Sequence, residues 1–163
     1  MNKSKLKKLI IISTVAAVVV IILLFTINSL LAQTSTDKYS NYLKLTTDKS
    51  VNLTRTYNNE IALWNSHFYS NTTMAKVTES YLPKFIAQKN QFNDTEAPVK
   101  YSKVKENYVK SFENEIKSYE YFKDYLKTSN STANKLSNDY LSAALNYETI
   151  ARSAFTEVNN SSR

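Results

Sequence analysis

The stretch VKENYVKSFENEIKSYEYFKDYL, residues 104–126, has the most regular helical pattern in this chain. Its apolar residues recur at steps of three and four, which places them on one face of an α-helix. They are Val104, Tyr108, Phe112, Ile116, Tyr119, Phe122 and Leu126. Glu106 and Lys110 form an acid-before-base pair four residues apart on the outer face. The pattern predicts a helix from about residue 97 to about residue 128.

A further helix is predicted from about residue 131 to about residue 158, where Asn130 or Ser131 can cap the first turn. Its apolar residues follow a heptad pattern: Leu136, Tyr140, Ala143, Tyr147, Ile150, Ala154 and Val158. Because the connection is short, this helix is expected to lie antiparallel to the preceding one. Ala143, a small residue between larger ones, is expected to be buried at their contact.

Two more helical patterns precede these. A helix is expected to begin near the polar residues 34–37, and its apolar face is formed by Leu53, Tyr57, Ile61, Trp64 and Phe68. After a polar break at residues 70–73, a second apolar set consists of Met74, Val77, Tyr81, Phe85 and Phe92. Pro83 falls inside this set and removes one helical hydrogen bond. Either Ser80 caps a new helix, or one helix kinks near residues 79–82.

The composition agrees with helices. The chain has no glycine and only two prolines, so it lacks the residues on which the tight turns of β-sandwiches and α/β folds depend. A glycine-rich phosphate loop and a dinucleotide-binding fingerprint are excluded on the same ground. There is also no cysteine, which excludes disulfides and thiol chemistry. The expected fold class is all-α, with an antiparallel bundle of three to four helices.

An uncharged segment between Leu9 and Ile27, LIIISTVAAVVVIILLFTI, precedes these helices. As a helix it would be roughly 28 Å long, close to the ~30 Å hydrocarbon core of a bilayer. Lysines at positions 3, 5, 7 and 8, with no acid, favour a cytoplasmic N-terminus. We therefore expect a cytoplasmic basic tail at 1–8, a transmembrane anchor at 9–31 and an extracytoplasmic domain at 33–163, in a single-pass protein of the cell membrane.

A cleaved signal peptide is the alternative to a permanent anchor. Its apolar region usually has about 7–15 residues and ends in a site with small residues. Here the apolar run is longer, and the best cleavage site, before Gln33, has the bulky Leu30 where a small residue is preferred. The sequence therefore favours the uncleaved anchor.

The formal charge of +7 does not indicate a nucleic-acid partner. Four lysines precede the apolar segment, and the remaining 17 basic residues face 14 acidic ones, a net charge of +3. Because the two signs are interspersed after residue 33, there is no basic stripe of the kind that binds phosphates.

Catalysis and metal binding are not expected. His67 is the one histidine, so two histidine ligands cannot come from one chain. Glu113 and Glu115 are two residues apart and would point to different sides of a helix, which is unsuited to a catalytic pair. We expect no enzyme activity, no catalytic residues, no cofactor and no metal site.

Surface features of other kinds are few. Tyr121 and Tyr125 fall off the apolar face of their helix, so we predict that they face a partner, or else that they cover the first helix of the domain. N-x-S/T sequences suggest glycosylation sites, should the cell have the machinery; these are Asn52, Asn71, Asn93 and Asn130.

These features favour a membrane-anchored, extracytoplasmic helical module that interacts with another envelope protein and has no catalytic activity. The alternative is an extracytoplasmic ligand-sensing bundle, with a small molecule seated between helices. Such a sensor would need a separate signalling partner, since only eight residues precede the membrane segment.

The anchor can be tested directly. We expect the mature protein to keep residues 1–32 and to stay in the membrane fraction after washing with high salt or alkali, because the apolar run is long and its cleavage site is poor. Intact mass spectrometry of the membrane fraction is the measurement. A species that begins at Gln33 and is released into the medium would show that the segment is a signal peptide.

Overall fold

The computed structural model describes residues 35–161, and all regular structure in this range is helical. The helices are α1, residues 35–65, α2, Asn71–Asp94, α3, Ser102–Thr128, and α4, Ser131–Asn160. A single 3-10 turn, Val99–Tyr101, comes directly before α3. The predicted all-α fold class is confirmed.

The predicted tail at 1–8 and anchor at 9–31 lie outside the described residues. Within residues 35–161, no helix combines the length and apolar character needed to cross a bilayer. The chain divides into two units at the boundary between Tyr42 and Leu43. The packed bundle belongs to the second unit.

Neighbouring helices α1 and α2 run antiparallel. In the second half of α1, the hydroxyls of Tyr57 and Thr78 lie 2.8 Å apart, in a buried hydrogen bond. At the end of α1, Trp64 Nε1 donates to Asn71 Oδ1 at 2.8 Å. The later residue on α1 thus meets the earlier residue on α2, and the tight connection between the helices is spanned by a side-chain hydrogen bond.

Aromatic contacts join α2 to α3 in the same antiparallel sense. The ring centroids of Phe85 and Tyr119 are 4.8 Å apart, and those of Phe92 and Tyr108 are 5.5 Å apart. All four side chains are buried. The predicted apolar face of α3 is confirmed at every position except Phe122, which is only partly buried.

Small residues pack α4 against α3. Ser111 Oγ donates to the carbonyl oxygen of Ala144 at 2.9 Å, and the hydroxyls of Ser118 and Ser137 are 3.3 Å apart. All four residues are buried. Because helix separation depends on the side chains at the contact, serine and alanine let these two helices approach closely. Thus α4 lies antiparallel to α3, as predicted.

The face of α4 that is buried differs from the predicted one. Ala144 is 4% exposed, whereas Ala143 is only partly buried and Ile150 is 42% exposed. The buried positions of α4 are Ala133, Ser137, Ala144 and Ala151. The expectation for Ala143 is therefore wrong by one residue. The expectation fails because α4 packs against α3 through its smallest side chains. The larger apolar residues that define the heptad pattern do not form this contact.

The first helix ends earlier than its apolar pattern predicts. The amide of Phe68 donates to Leu63 O and the amide of His67 donates to Trp64 O, both at 2.9 Å. His67 has φ 62°, so this is a Schellman ending with histidine where glycine is usual. Phe68 consequently lies beyond the helix and is 74% exposed, which corrects its placement on the apolar face.

The α2 helix continues through Pro83, so Ser80 does not cap a new helix. Because proline has no amide hydrogen, the carbonyl of Glu79 lacks its usual helical donor at Pro83. Glu79 and Pro83 are both exposed, so water can donate to this carbonyl. Ser70 caps α2 by accepting from the amide of Thr73 at 3.1 Å. The helix ends at Asp94, and Thr95 follows in an extended backbone conformation.

The correction on α4 can be tested by overpacking. Ala144→Phe should lower the free energy of unfolding by about 1–3 kcal/mol, because its position is buried against Ser111. The matched change Ala143→Phe should cost less, since that site is only partly buried. Urea denaturation of the full chain in detergent, followed by circular dichroism, measures both. A larger loss for Ala143→Phe would mean that the heptad pattern places the contact correctly.

Candidate functional site

A groove runs between α1 and α4, with α3 as its floor; we call it the α1–α4 groove. Its volume is about 490 Å³. The α1 wall includes Val51 and Thr54, and the α4 wall includes Leu141 and Leu145. On the floor lie Phe112, Glu115 and Tyr119. Volumes of roughly 300–1,000 Å³ are typical of small-molecule sites.

The groove exists because the large side chains of α1 point elsewhere. Tyr57 packs on Phe85 and Tyr119, and Trp64 packs on Phe122. Toward α4, the wall of α1 above Thr54 is formed by the smaller Thr47 and Ser50. These small side chains leave space between α1 and α4.

The groove exposes apolar side chains that a packed core would cover. Leu145 is 55% exposed, and Val51 and Leu141 are each 37% exposed. Leu141 and Leu145 are one turn apart on α4, and so they lie on one face of it. Together with Val51 opposite, they give the groove two apolar walls.

Glu115 is the acidic group at the floor of this groove. Its Oε1 accepts from Thr54 Oγ1 at 3.0 Å and from Tyr119 OH at 2.7 Å. Burial raises the pKa of its carboxyl, while the two hydrogen bonds oppose that rise. Burial and the adjacent Glu115 also raise the pKa of Tyr119, which therefore stays a protonated donor.

Other charges near the groove are paired or at its rim. Arg152 donates to Glu148 Oε1 at 2.6 Å, and Glu148 lines the groove one turn beyond Leu145. Arg55 also lines the groove and is exposed. The positive charge of Arg152 is thus neutralised by Glu148 on the same helix. Arg55 is the basic residue at the rim of the groove.

A second hollow of about 410 Å³ continues along the same two helices. It shares Thr47 and Tyr108 with the α1–α4 groove, and it is lined on α4 by Arg152 and Phe155.

Tyr121 and Tyr125 both make contacts within the bundle. The ring of Tyr121 stacks on that of Tyr140 with centroids 5.5 Å apart and planes at 4°. Tyr125 packs against the aromatic core that contains Tyr57 and Leu126. Both are partly buried, neither lines the groove, and the structure does not bring them together with Glu115. That they face a partner stays a prediction.

The four asparagines predicted as glycosylation sites are exposed. Asn52 lies within α1, and Asn93 in the last turn of α2. Asn71 accepts from Trp64, and Asn130 caps α4 by accepting from the amide of Thr132 at 2.9 Å. Their use as acceptors stays a prediction.

Sequence reasoning considered Glu115 only with Glu113, as a pair unsuited to catalysis, and missed its place in the groove. A signal was available: Tyr108, Phe112, Glu115 and Tyr119 follow steps of four, three and four. The carboxyl therefore occupies an inward position on a helical face that is otherwise aromatic. In the described residues, no three metal-binding side chains come together.

Comparisons of this chain with protein families, with characterised proteins and with solved structures find no match. The class of protein therefore has to be argued from the bundle and its groove alone.

The buried carboxyl makes stability depend on pH. Because the pKa of Glu115 is raised in the folded protein, the folded state binds this proton more tightly than the unfolded state does. The stability that this carboxyl contributes is present at acid pH. It falls as the pH rises from the carboxyl's pKa in the unfolded chain to its raised pKa in the folded protein. In Glu115→Gln this component disappears.

We expect the stability of Glu115→Gln relative to the native chain to increase with pH across that window and then to level off. Unfolding of the full chain in detergent between about pH 4 and pH 8 measures it. Glu106→Gln is the control: Lys110 lowers the pKa of the exposed Glu106, so its smaller effect has the opposite sign. A difference for Glu115→Gln that is constant with pH would contradict the burial of a charged carboxyl.

Proposed function

We propose that this chain is a membrane-anchored, extracytoplasmic helical module that binds a partner molecule and catalyses no reaction. The α1–α4 groove supports this proposal, because it combines enclosed volume with exposed apolar walls at Val51, Leu141 and Leu145. Apolar walls with few polar groups are typical of sites that bind small molecules.

Of the two forms that such a module could take, the groove favours the ligand-sensing one. A sensor needs a small molecule seated between helices, and this groove lies between two helices over the floor of a third. In this proposal, a bound ligand joins α1 to α4, and a separate protein of the envelope or of a signalling system responds to the change in the bundle.

The absence of catalysis is part of the proposal and is argued from the groove. General acid–base chemistry on a substrate needs groups positioned to exchange protons with it. Thr54 and Tyr119 instead direct their hydroxyl protons to Glu115. These hydrogen bonds are suited to holding a carboxylate in one orientation.

Cysteine protection tests whether the groove binds small molecules. The chain has no native cysteine, so Ser50→Cys places a single thiol in the groove wall of the full chain. In nanodiscs of phosphatidylcholine, we measure the rate of its modification by a maleimide with n-hexylamine, n-hexanol or hexanoate present. At least one of these six-carbon probes should slow the reaction saturably, because an occupied groove shields the thiol.

Ser80→Cys is the matched control, since Ser80 is exposed on α2 and does not line the groove. Its modification should be unaffected by all three probes. If no probe protects Ser50→Cys at any soluble concentration, or if both cysteines are protected equally, the groove is not a small-molecule site and the proposed function fails.

A further inference from the structure

Glu115 has an unusual environment for a carboxyl at the floor of a groove. Both of its hydrogen bonds go to Oε1, from Thr54 and from Tyr119. Across residues 35–161, Glu115 has no ion pair, and no protein group donates to Oε2. Glu115 is partly buried, and burying a carboxylate is costly unless it is both hydrogen-bonded and paired with a positive charge. The second requirement is not met by the bundle itself.

Two basic side chains of α3 and α4 are paired with acids of their own helices, and the basic residue that lines the groove is exposed. Arg152 is paired with Glu148, and Lys110 is paired with Glu106 at 2.7 Å. Arg55 shares the lining of the groove but is exposed at its rim. It is therefore the internal alternative to an external cation, and any test has to separate the two.

The rest of the groove suits an apolar substituent more than a second charge. Val51, Leu141 and Leu145 present exposed aliphatic surface on both walls. Aromatic side chains flank Glu115 on the floor, where Phe112 precedes it by three residues and Tyr119 follows it by four. A positive charge next to aromatic rings gains additional electrostatic attraction.

We propose that the α1–α4 groove binds an organic molecule in which a primary ammonium group is joined to an apolar chain or ring. The ammonium donates to Oε2 of Glu115, and the apolar part lies along Val51, Leu141 and Leu145. This inference rests on the proposed function, because it names the ligand class of the same groove.

Charge complementarity separates this ligand class from others. An ammonium has three donors and no acceptor, which matches a carboxylate oxygen without a protein partner. A carboxylate ligand would meet Glu115 on the floor, and like charges repel. A neutral alcohol can donate to Oε2 but brings no charge, so it forms a weaker hydrogen bond than a charged donor does.

The three six-carbon probes used on Ser50→Cys also test the ligand class. At about pH 7, where hexylamine is protonated, the expected order of protection is hexylamine, then hexanol, then hexanoate. Hexylamine should bind about tenfold more tightly than hexanol, as expected for a charged in place of a neutral hydrogen bond. In Ser50→Cys with Glu115→Gln, this preference should disappear, while hexanol still protects.

Glu113→Gln is the matched control for Glu115→Gln. Glu113 is on the same helix, is exposed and does not line the groove. The Glu113→Gln substitution removes the same charge as Glu115→Gln. A preference for hexylamine that depends only on overall charge would therefore fall equally in both variants. A preference for hexylamine that persists in Glu113→Gln and is lost in Glu115→Gln supports the assignment of the ammonium to Glu115.

Three results would overturn the inference while leaving the groove as a binding site. They are equal protection by hexylamine and hexanol, a hexylamine preference that survives Glu115→Gln, and a preference that appears only after Arg55→Gln. The last would show that Arg55 already pairs with Glu115 in the native chain. Failure of the proposed function is distinct, since then no probe protects Ser50→Cys at all.

Discussion

Three aromatic rings from three helices meet at the centre of the bundle. The ring centroid of Tyr57 lies 4.6 Å from that of Tyr119 and 5.8 Å from that of Phe85, and the latter two are 4.8 Å apart. Each ring comes from a different helix, so the contact fixes α1, α2 and α3 relative to one another. Tyr57 also bonds to Thr78, and Tyr119 to Glu115, so that both buried hydroxyls are satisfied.

The groove is a consequence of that contact. The largest aromatic residues of α1 are used against α2 and α3, and the part of α1 that faces the groove includes the small Thr47, Ser50 and Thr54. On α4, in turn, the small residues Ala144 and Ser137 are used against α3. The aliphatic side chains of Leu141 and Leu145 are then left without a partner helix. Tyr119 connects the two regions, because its ring belongs to the core and its hydroxyl holds Glu115.

Much of this architecture could be predicted from the sequence, because helix spacing and capping are local properties. The apolar steps from Val104 to Leu126 give the end of α3 correctly, and the cap at Asn130 gives the start of α4, but α3 begins at Ser102, five residues later than predicted. The face of α4 could not be decided, since Ala143 and Ala144 are identical neighbours and only the partner helix distinguishes them. Glu115 was missed because a charged residue is usually expected at the surface. Its position among aromatic residues on one face of α3 is the signal that indicates burial. The volume of the groove depends on how three helices meet, which no local pattern contains.

The very short connection between α3 and α4 has a consequence for the order of folding. Only Ser129 and Asn130 separate the two helices, so little chain entropy is lost when this pair closes. We expect the α3–α4 hairpin to form early and α1, whose contacts with α3 are far apart in sequence, to dock late. The two walls of the groove would then meet only in the last step. With this order of docking, a ligand held between the walls would slow unfolding and leave the folding rate unchanged, because its contacts would form only after the transition state.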